Sequence, residues 1–242
     1  MKARFISDIH LSDDRPHLTD AFKTFLNRSK EACTHLFILG DLFEIWIGDD
    51  NNNPFNQEIK DILIDFTANG PDTFLMHGNR DFLIGEAFAN EVSISILPDP
   101  YTLDINGMKT ILSHGDFFCT DDADYIEFRN KVRSEGWKKD FLSKSLDQRK
   151  AIANAMRKDS KTATLEKSLH ITDVNSEAVN NFIKEHKPNL LIHGHTHRPN
   201  VHKINNSKRI VLGDWNDYGW FLTVNDKDHE LKKFSISYLL VL

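Results

Sequence analysis

The chain of 242 residues is 40% hydrophobic and 27% charged, a composition typical of a soluble globular protein with a sizeable core. Its apolar runs are too short to span a bilayer, and its first residues, MKARFISDIHL, lack the features of a signal peptide. The formal net charge of −6 gives no indication of nucleic-acid binding. Two cysteines without metal-type spacing, Cys33 and Cys119, favour a cytoplasmic protein with reduced thiols.

Hydrophobic periodicity in the first third of the chain predicts strands that alternate with helices. Strands are expected at Arg4–Ser7, His35–Leu39 and Thr73–Met76, and helices at Asp20–Ala32 and Gln57–Phe66. Alternation of this kind places helices on the outside of a sheet.

Hairpin and strand patterns dominate the rest of the predicted core. The dipeptide Asn106-Gly107 predicts a tight turn between strands Thr102–Ile105 and Lys109–Leu112. A helix is expected at Ser176–Lys187 and a strand at Asn189–Ile192, followed by two or three more strands. We therefore predict an α/β (α+β) fold in which two packed mixed sheets are covered by outer helices.

Residues 120–174 interrupt this pattern, because they are rich in helix-forming residues. We predict a helical insertion here, which forms a lid on a core made of residues 1–119 and 175–242. Between Arg129 and Lys167, twelve lysines and arginines stand against five aspartates and glutamates. Apolar residues are interleaved with them: Phe128, Val132, Trp137, Phe141, Leu142, Leu146, Ile152 and Met156. The pattern fits an amphipathic hairpin packed on the core as well as a surface that binds an anionic, apolar ligand.

Polar side chains that suit metal binding follow five of the apolar, strand-like runs. They occur in the segments SDIH, GDLF, GNRD, SHGD and GHTH, as Asp8, His10, Asp41, Asn79, His114, His195 and His197. Loops at the carboxyl ends of strands are where α/β sheets collect their ligands. One such group alone is more often solvated surface, whereas five in this order indicate a site.

The types of donor atom indicate which metal would bind. Carboxylate oxygens, imidazole nitrogens and an amide oxygen together suit divalent ions such as Mn²⁺ or Fe²⁺. A bridging carboxylate with ligands on either side can hold two ions about 3.5–4 Å apart. A structural zinc site needs only four ligands and usually includes cysteine. The sequence therefore predicts a catalytic centre with two metal ions.

The order of these motifs, Asp-x-His, Gly-Asp, Gly-Asn-x-Asp, His-Gly-Asp and Gly-His-x-His, resembles the signature of the calcineurin-like metallophosphoesterases. The resemblance implies a four-layer αββα sandwich. It also implies that one ion is held by Asp8, His10 and His197, that a second is held by Asn79, His114 and His195, and that Asp41 bridges them. In such centres the ions activate a water for in-line attack on phosphorus, so no protein nucleophile is needed.

Arg80 narrows the expected chemistry. Many members of this family have histidine at this place, which can protonate a departing alkoxide. Arginine stays charged near neutral pH, so it cannot act as an acid, but it can clamp phosphate oxygens. A phosphate leaving group needs no proton, and Arg80 therefore favours cleavage of a phosphate–phosphate bond. The plainer interpretation is that Arg80 only balances the charge of Asp81 or Glu44.

Longer matches point to one branch of the family. Through ISDIHLS, GDLFEIWIGDD, MHGNRDFLIG, MRKDSK and IHGHTHRP, the chain resembles the UDP-2,3-diacylglucosamine diphosphatases of Gram-negative lipid A synthesis over nearly its whole length. That resemblance implies manganese-dependent hydrolysis of UDP-2,3-diacylglucosamine to UMP and 2,3-diacylglucosamine 1-phosphate, by attack of water on the α-phosphorus. It places substrate contacts at Asn79, Arg80, Asp122, Ser160, Thr164, Lys167 and His195. Thr164 stands where the branch commonly has asparagine.

This resemblance suggests a use for the insertion. A trough for acyl chains would be lined by Phe128, Trp137, Phe141, Ile152 and Met156. The basic residues of the insertion would favour peripheral attachment to the anionic cytoplasmic face of the inner membrane. Trp46 and Phe43, beside Asp41, are expected either to contact the substrate or to belong to the core. Two alternatives stay open: another nucleotide-diphosphate pyrophosphatase of the superfamily, and a non-catalytic module that kept a metal site. The sequence does not fix the oligomeric state, and a monomer is our expectation.

Overall fold

Two β-sheets, one of six strands and one of five, form the centre of the fold in the computed structural model. The structure describes residues 1–166, 171, 173–226 and 228–239, without the side chains of residues 159–166 and 238–239. The strands are β1 (Lys2–Ile6), β2 (His35–Leu39), β3 (Asp72–Met76), β4 (Ser95–Leu97), β5 (Tyr101–Ile105), β6 (Met108–Ser113), β7 (Leu190–His193), β8 (Asn200–Ile204), β9 (Ser207–Val211), β10 (Tyr218–Asn225) and β11 (Asp228–Ser235). The helices are α1 (Pro16–Ser29), α2 (Pro54–Thr67), α3 (Glu86–Glu91), α4 (Ala123–Val132), α5 (Glu135–Leu142), α6 (Leu146–Glu166), α7 (Ser176–His186) and α8 (Ile236–Leu239).

Both sheets are mixed and have parallel strands at their centres. The six-stranded sheet has the order β11-β10-β1-β2-β3-β4, with β1 to β4 parallel and β10 antiparallel to β1. The five-stranded sheet has the order β5-β6-β7-β9-β8, with β6, β7 and β9 parallel. The carboxyl ends of β1, β2 and β3 in one sheet, and of β6 and β7 in the other, therefore supply the loops that carry the predicted ligands.

Alternating side chains of the central strands face two different apolar clusters, and this alternation produces four layers. Leu36 and Ile38 of β2 belong to the cluster that includes the buried faces of α1 and α2. Phe37 and Leu39 of the same strand belong to a second cluster, which fills the space between the two sheets. On the far side of the five-stranded sheet, Leu191 of β7 packs in a third cluster with residues of α7. The predicted sandwich of two mixed sheets between helices is confirmed.

Several element boundaries differ from the predicted ones for local reasons. Helix α1 begins at Pro16 rather than Asp20, and α2 begins at Pro54, because proline suits the first helical turn. The side chain of Asn53 caps α2 by accepting a hydrogen bond from Asn56 N at 2.7 Å. Four strands follow β7, where two or three were expected.

The six-residue helix α3 was not predicted, because it is too short for a periodic signal. A residue distant in sequence caps it. Asp49 Oδ1 accepts a hydrogen bond from Gly85 N at 3.0 Å, and Asp49 Oδ2 accepts one from Phe88 N at 2.9 Å. Trp46 Nε1 also donates to Asp49 Oδ1, at 3.0 Å. A cap of this kind is visible only once the tertiary structure is known.

Helices α4, α5 and α6 lie in the chain between β6 and β7, within the predicted insertion. Trp137 and Phe141 of α5 stack at a centroid distance of 4.8 Å, and Phe141 is part of the cluster beneath α1 and α2. At the start of α6, the guanidinium of Arg149 is buried. It donates to Ile47 O at 2.7 Å and to both carboxylate oxygens of Asp50, at 2.7 and 2.5 Å. No helix in the described residues is long and apolar enough to cross a membrane.

Replacing Arg149 with methionine should loosen the attachment of α6. The change removes the charged hydrogen bonds to Asp50 and Ile47, and we expect a loss of about 1–3 kcal/mol in the free energy of unfolding. Urea denaturation would measure this loss. The matched control is Lys150→Met on the same helix, where the lysine is exposed. Equal stability of the two variants would contradict a structural role for the Arg149–Asp50 pair.

Candidate metal centre and substrate cavity

The five predicted loops meet at one edge of the molecule, where the carboxyl ends of the parallel strands of both sheets converge. Backbone hydrogen bonds join neighbouring loops: Asp8 N donates to Gly40 O at 3.1 Å, and Gly194 N donates to His114 O at 2.9 Å. The structure brings together all seven residues predicted as metal ligands, which are Asp8, His10, Asp41, Asn79, His114, His195 and His197. Their role as ligands stays a prediction.

The backbone at this edge is strained. Positive φ angles, which are uncommon outside glycine, occur at five of the predicted ligands: Asp8 (54°), His10 (54°), Asp41 (53°), His195 (69°) and His197 (55°). Each such residue costs of order 1–3 kcal/mol, and residues of this kind cluster at functional sites because the surrounding structure holds them. The conformations aim the side chains inward from sharply turning loops.

Two glycines permit the close approach of the loops. A Cβ atom on Gly78 would lie 2.0 Å from Asp41 Oδ1, and one on Gly194 would lie 2.3 Å from Asp8 Oδ2. Any side chain at these positions would displace a carboxylate of the site. This contact explains why glycine precedes Asn79 and His195 in their motifs.

Asp8, His10 and His197 form the first set of donor atoms. His197 Nε2 lies 3.4 Å from Asp8 Oδ1 and 3.3 Å from His10 Nε2. The three donor atoms fall within 4.8 Å of one another, a spacing that suits a shared cation. The Asp8 carboxylate is oriented by Ser7 Oγ at 2.5 Å and by His195 N at 3.0 Å.

Asn79, His114 and His195 form the second set, with Asp41 between the two. Asn79 Oδ1 lies 3.0 Å from both His114 Nε2 and His195 Nδ1. Asp41 Oδ2 lies 3.8 Å from His114 Nε2 in this set and 3.8 Å from His10 Nε2 in the first. Asp8, Asp41 and His114 also lie within 4.8 Å of one another, so both carboxylates face the space between the sets.

The donor set fits divalent cations. It combines carboxylate and amide oxygens with imidazole nitrogens, and three of its members, Asp8, Asp41 and His114, are at most 2% exposed. Asp116, two residues after His114, supplies further buried negative charge. His114 Nδ1 lies 2.9 Å from Leu39 O and donates to it, so Nε2 is the nitrogen free to bind an ion. Several carboxylates buried so close together are unfavourable unless positively charged groups or cations lie beside them.

Asp81 stabilises the centre without facing it. Its buried carboxylate accepts hydrogen bonds from the backbone N–H groups of Gly78 at 2.8 Å and Leu42 at 2.7 Å, with a longer one from Asp41 N at 3.3 Å. Burial and the nearby Asp41 charge raise the pKa of Asp81 to about 6, although these hydrogen bonds oppose the rise. Asp81 therefore ties the loop after β2 to the loop after β3.

Glu44 links the first donor set to the insertion. Its Oε2 lies 2.9 Å from His10 Nδ1, and its Oε1 accepts a hydrogen bond from Arg157 of α6. Burial opposes ionisation of Glu44, but the hydrogen bond from His10 and the charges of His10, Arg80 and Arg157 outweigh burial and lower its pKa to about 2. A carboxylate behind a ligating histidine fixes the orientation of the ring.

Arg80 lies beside the second donor set and lines a cavity. Its backbone N donates to Asp41 Oδ1 at 2.8 Å, whereas its side-chain Nε is buried and has no hydrogen-bond partner among the described residues. Asp81 is occupied by backbone N–H groups, so it does not pair with Arg80. The guanidinium is therefore available to an anionic ligand.

The cavity of about 330 Å³ runs from Asn79 and Arg80 to an apolar wall between the core and the insertion. The wall is formed by Ile45, Trp46, Phe82, Leu83, Tyr125, Phe128, Trp137, Phe141, Ala153 and Met156. Four of the five residues that we assigned to an acyl trough line it. The fifth, Ile152, is not among the residues that line this cavity, and it packs against the core cluster. Trp46 lines the cavity and Phe43 belongs to the core.

The structure places the other predicted substrate contacts as follows. Asp122 lines the cavity, and its Oδ1 also caps α4 by accepting a hydrogen bond from Tyr125 N at 3.1 Å. Ser160 and Thr164 lie on α6, but their side chains are outside the described part of the structure, and Lys167 lies outside the described residues.

Sequence reasoning missed Tyr125 and Arg157 as residues of the site. The Tyr125 ring stacks on His195 at a centroid distance of 5.7 Å, and both Tyr125 and Arg157 line the cavity. Both belong to helices of the predicted insertion, whose orientation no local motif reveals. Glu44 was considered only as a partner for Arg80, although its position in GDLFE, three residues after Asp41, was a usable signal.

Comparison with known proteins agrees with this geometry. The family model for calcineurin-like phosphoesterases matches residues 1–199, and the chain belongs to that family. Among curated relatives, the UDP-2,3-diacylglucosamine hydrolase of Aromatoleum aromaticum is 45% identical over 90% of each chain. The enzyme of the same name from Escherichia coli O127:H6 is 42% identical over 97% of this chain and 99% of its own. A solved structure of an archaeal phosphodiesterase shares the fold, with a TM-score of 0.52 at 13% identity, covering 97% of this chain and 100% of its own.

The protonation of His197 generates a prediction about metal loading. Burial disfavours its imidazolium, but the hydrogen bond and charge of Asp8 outweigh burial and raise the pKa of His197 to about 9. At pH 7 the metal-free protein therefore holds a proton on His197, and a divalent ion must displace it. We expect the affinity of metal-stripped protein for Mn²⁺ to rise with pH up to about pH 9, by as much as about tenfold per unit.

Calorimetric titration of the stripped protein with Mn²⁺ between pH 6.5 and 9.5 would test this expectation, with proton release measured from the buffer dependence of the heat. His197→Asn should remove that proton release, whereas His17→Asn, at an exposed histidine, should leave it unchanged. An affinity that does not vary between pH 7 and pH 9 would contradict the assignment of His197 as a ligand.

Proposed function

We propose that the protein hydrolyses the pyrophosphate bond of UDP-2,3-diacylglucosamine to UMP and 2,3-diacylglucosamine 1-phosphate, a step of lipid A biosynthesis. The observation that supports this most directly is the position of Arg80 and Asn79, which join the donor set to one end of an apolar cavity. A substrate with a pyrophosphate and acyl chains matches that arrangement. Relatives at 42–45% identity over nearly the full chain bear the name of this activity.

The geometry of the loops supports a role for each predicted ligand. Asp8, His10 and His197 would hold one Mn²⁺ ion, Asn79, His114 and His195 would hold a second, and Asp41 would contact both. Bound ions of this kind polarise phosphoryl oxygens and make a water acidic enough to attack phosphorus near neutral pH. Asp81 and Ser7 keep Asp41 and Asp8 in the orientation that this requires, because they fix the loops and the carboxylate oxygens.

Arg80 determines which bond is favoured. Its guanidinium lies beside Asn79, where it can hold two oxygens of a phosphate. The departing 2,3-diacylglucosamine 1-phosphate is already a stable anion and needs no proton. A residue that cannot donate a proton therefore suits a diphosphate better than an alkyl monophosphate.

The apolar end of the cavity favours the proposal of an acylated substrate over the proposal of other nucleotide diphosphates. Burial of an acyl chain contributes about 0.8 kcal/mol per methylene. Phe128 of α4 and Met156 of α6 lie on the insertion side of the wall, and Trp46 and Leu83 lie on the core side. A pyrophosphatase acting on soluble nucleotide sugars would have no use for such a wall.

The outer surface of the insertion suits attachment to an anionic membrane. Exposed apolar side chains that do not line the cavity occur at Leu142 (42%) and Leu146 (38%). Exposed lysines of the same helices add positive charge, which contributes about 1 kcal/mol per basic residue close to an anionic surface. We propose that the protein lies peripherally on the cytoplasmic face of the inner membrane, where its lipid substrate would be presented.

Manganese-loaded protein should release UMP from UDP-2,3-diacylglucosamine, and it should do so far faster than it cleaves ADP-ribose or an aryl phosphate. Replacing Asp41 with alanine removes the carboxylate between the donor sets and should lower turnover by about three orders of magnitude. Asp13→Ala, at an exposed carboxylate, is the matched control. Unchanged activity of the Asp41 variant would contradict a catalytic centre.

The same assay distinguishes an enzyme for the acylated substrate from a general nucleotide-diphosphate pyrophosphatase. Phe128→Ala should lower kcat/KM for long acyl chains by about tenfold and leave short-chain analogues nearly unaffected, because it removes only apolar wall. Leu142→Ala, an exposed residue of α5 outside the wall, is the control. Equal rates for ADP-ribose and the lipid substrate would favour a general nucleotide-diphosphate pyrophosphatase.

The protein should sediment with vesicles rich in phosphatidylglycerol at low ionic strength and be released at high salt, because screening weakens surface attraction. Vesicles of phosphatidylcholine alone should bind it much less. A variant with Lys139→Glu and Lys150→Glu should bind anionic vesicles more weakly than Lys184→Glu, on α7 in the opposite outer layer. Failure of the parent protein to sediment with anionic vesicles would rule out this attachment.

A further inference from the structure

One arginine of the predicted insertion contacts the backbone of a ligand loop directly. Arg133 is the C-terminal cap residue of α4, and its Nη2 donates to Gly78 O at 2.9 Å and to Asp116 Oδ2 at 3.1 Å. Its guanidinium carbon also lies 5.8 Å from the centre of the Phe82 ring. A single side chain therefore contacts both ends of the segment Gly78–Phe82, which contains Asn79 and Arg80.

One hydrogen bond within this segment and two from the core hold its other atoms. Gly78 N donates to Asp81 Oδ1 at 2.8 Å, Arg80 N donates to Asp41 Oδ1 at 2.8 Å, and Arg80 O accepts a hydrogen bond from Trp46 N at 3.2 Å. Arg133 adds a further restraint, at the carbonyl immediately before Asn79.

Asp116 fixes Arg133 in this position. The Asp116 carboxylate is fully buried, and its Oδ2 accepts hydrogen bonds from Tyr125 OH at 3.0 Å, Arg129 Nε at 2.7 Å and Arg133 Nη2 at 3.1 Å. These charge-assisted hydrogen bonds keep both guanidinium groups in place.

Arg129 and Arg133 are closely matched apart from two contacts. Their side chains are 17% and 18% exposed, and each pairs with the same oxygen of Asp116. Only Arg133 also reaches Gly78 O and Phe82. A comparison of variants at these two residues can therefore distinguish the stabilisation of a buried charge from the positioning of the Gly78–Phe82 segment.

We propose that Arg133 is a positioning residue of the reaction centre, through which α4 sets the placement of Asn79 and Arg80 against the phosphates. This inference rests on the proposed function and extends it, because it gives the predicted insertion a part in the cleavage step itself as well as in acyl binding. Misplacement of reacting groups by about 1 Å can lower a rate by about a hundredfold, so a restraint on this segment has a large effect.

The test compares Arg133→Gln with Arg129→Gln in the manganese-loaded, full-length protein. Both variants remove one positive charge from Asp116, and we expect similar decreases in the urea midpoint. Arg133→Gln should lower kcat for UDP-2,3-diacylglucosamine about tenfold more than Arg129→Gln, with KM nearly unchanged, because the apolar wall is intact. Equal decreases in kcat at equal stability would overturn the proposal and leave Arg133 with a structural role only.

Hydrogen exchange provides a second measurement that does not depend on the substrate. Amides of residues 77–84 should exchange about fivefold faster in Arg133→Gln than in Arg129→Gln, because the segment loses its restraint at Gly78 O. Unchanged exchange in this peptide would also overturn the proposal. If the parent protein did not cleave the lipid substrate, the proposed function would fail, while the exchange measurement would still test the positioning.

Should Arg133→Gln not fold, Arg133→Lys and Arg129→Lys replace the pair. Lysine keeps the charge beside Asp116. It lacks the planar guanidinium, which lies near the Phe82 ring and donates a hydrogen bond to Gly78 O. The same differences in kcat and in exchange are expected. A lysine variant at residue 133 that matches its control at residue 129 in both measurements would refute the positioning role.

Discussion

The arrangement of this site depends on the burial of four carboxylates at one edge of the fold. Asp8, Asp41, Asp81 and Asp116 are each at most 2% exposed. A buried carboxylate is costly unless donors or cations surround it, so the chain around each one must supply them. Asp81 takes backbone N–H groups from two loops, and Asp116 takes two arginines and a tyrosine. Asp8 and Asp41 face histidines. We expect divalent cations to neutralise the negative charge that these histidines do not balance.

These requirements also explain how the insertion is held. The excess of positive charge between Arg129 and Lys167 has two uses, ion pairing with other parts of the fold and a basic outer surface. Counting charges in the sequence could not distinguish them. Arg129, Arg133, Arg149 and Arg157 pair with acidic residues outside these helices, namely Asp116, Asp50 and Glu44. The lysines remain for the outer surface. Ion pairs thus fasten α4 and α6 to the rest of the fold.

Short motifs predicted much of this arrangement. Each of the seven predicted ligands follows a strand or lies in a tight loop, and the order of the strands can be anticipated from alternation with helices. The four layers arise because successive side chains of β2 enter two different apolar clusters, one on each face of the sheet. What local pattern could not provide was the rotation of the insertion helices about their axes. Ile152 and Met156 are neighbours on one helical face in the sequence, yet the first packs on the core and the second lines the cavity.

The distribution of the ligands along the chain has a consequence for biosynthesis. Asp8 emerges from the ribosome first, but its partner His197 follows only after nearly two hundred further residues, and the strand that brings His195 and His197 into place, β7, pairs with β6 across the whole insertion. Contacts between residues so distant in sequence form late in folding. A nascent chain therefore presents β1 to β6 and helices α4 to α6 before its donor sets are complete, and it cannot become active until most of its length is available to fold.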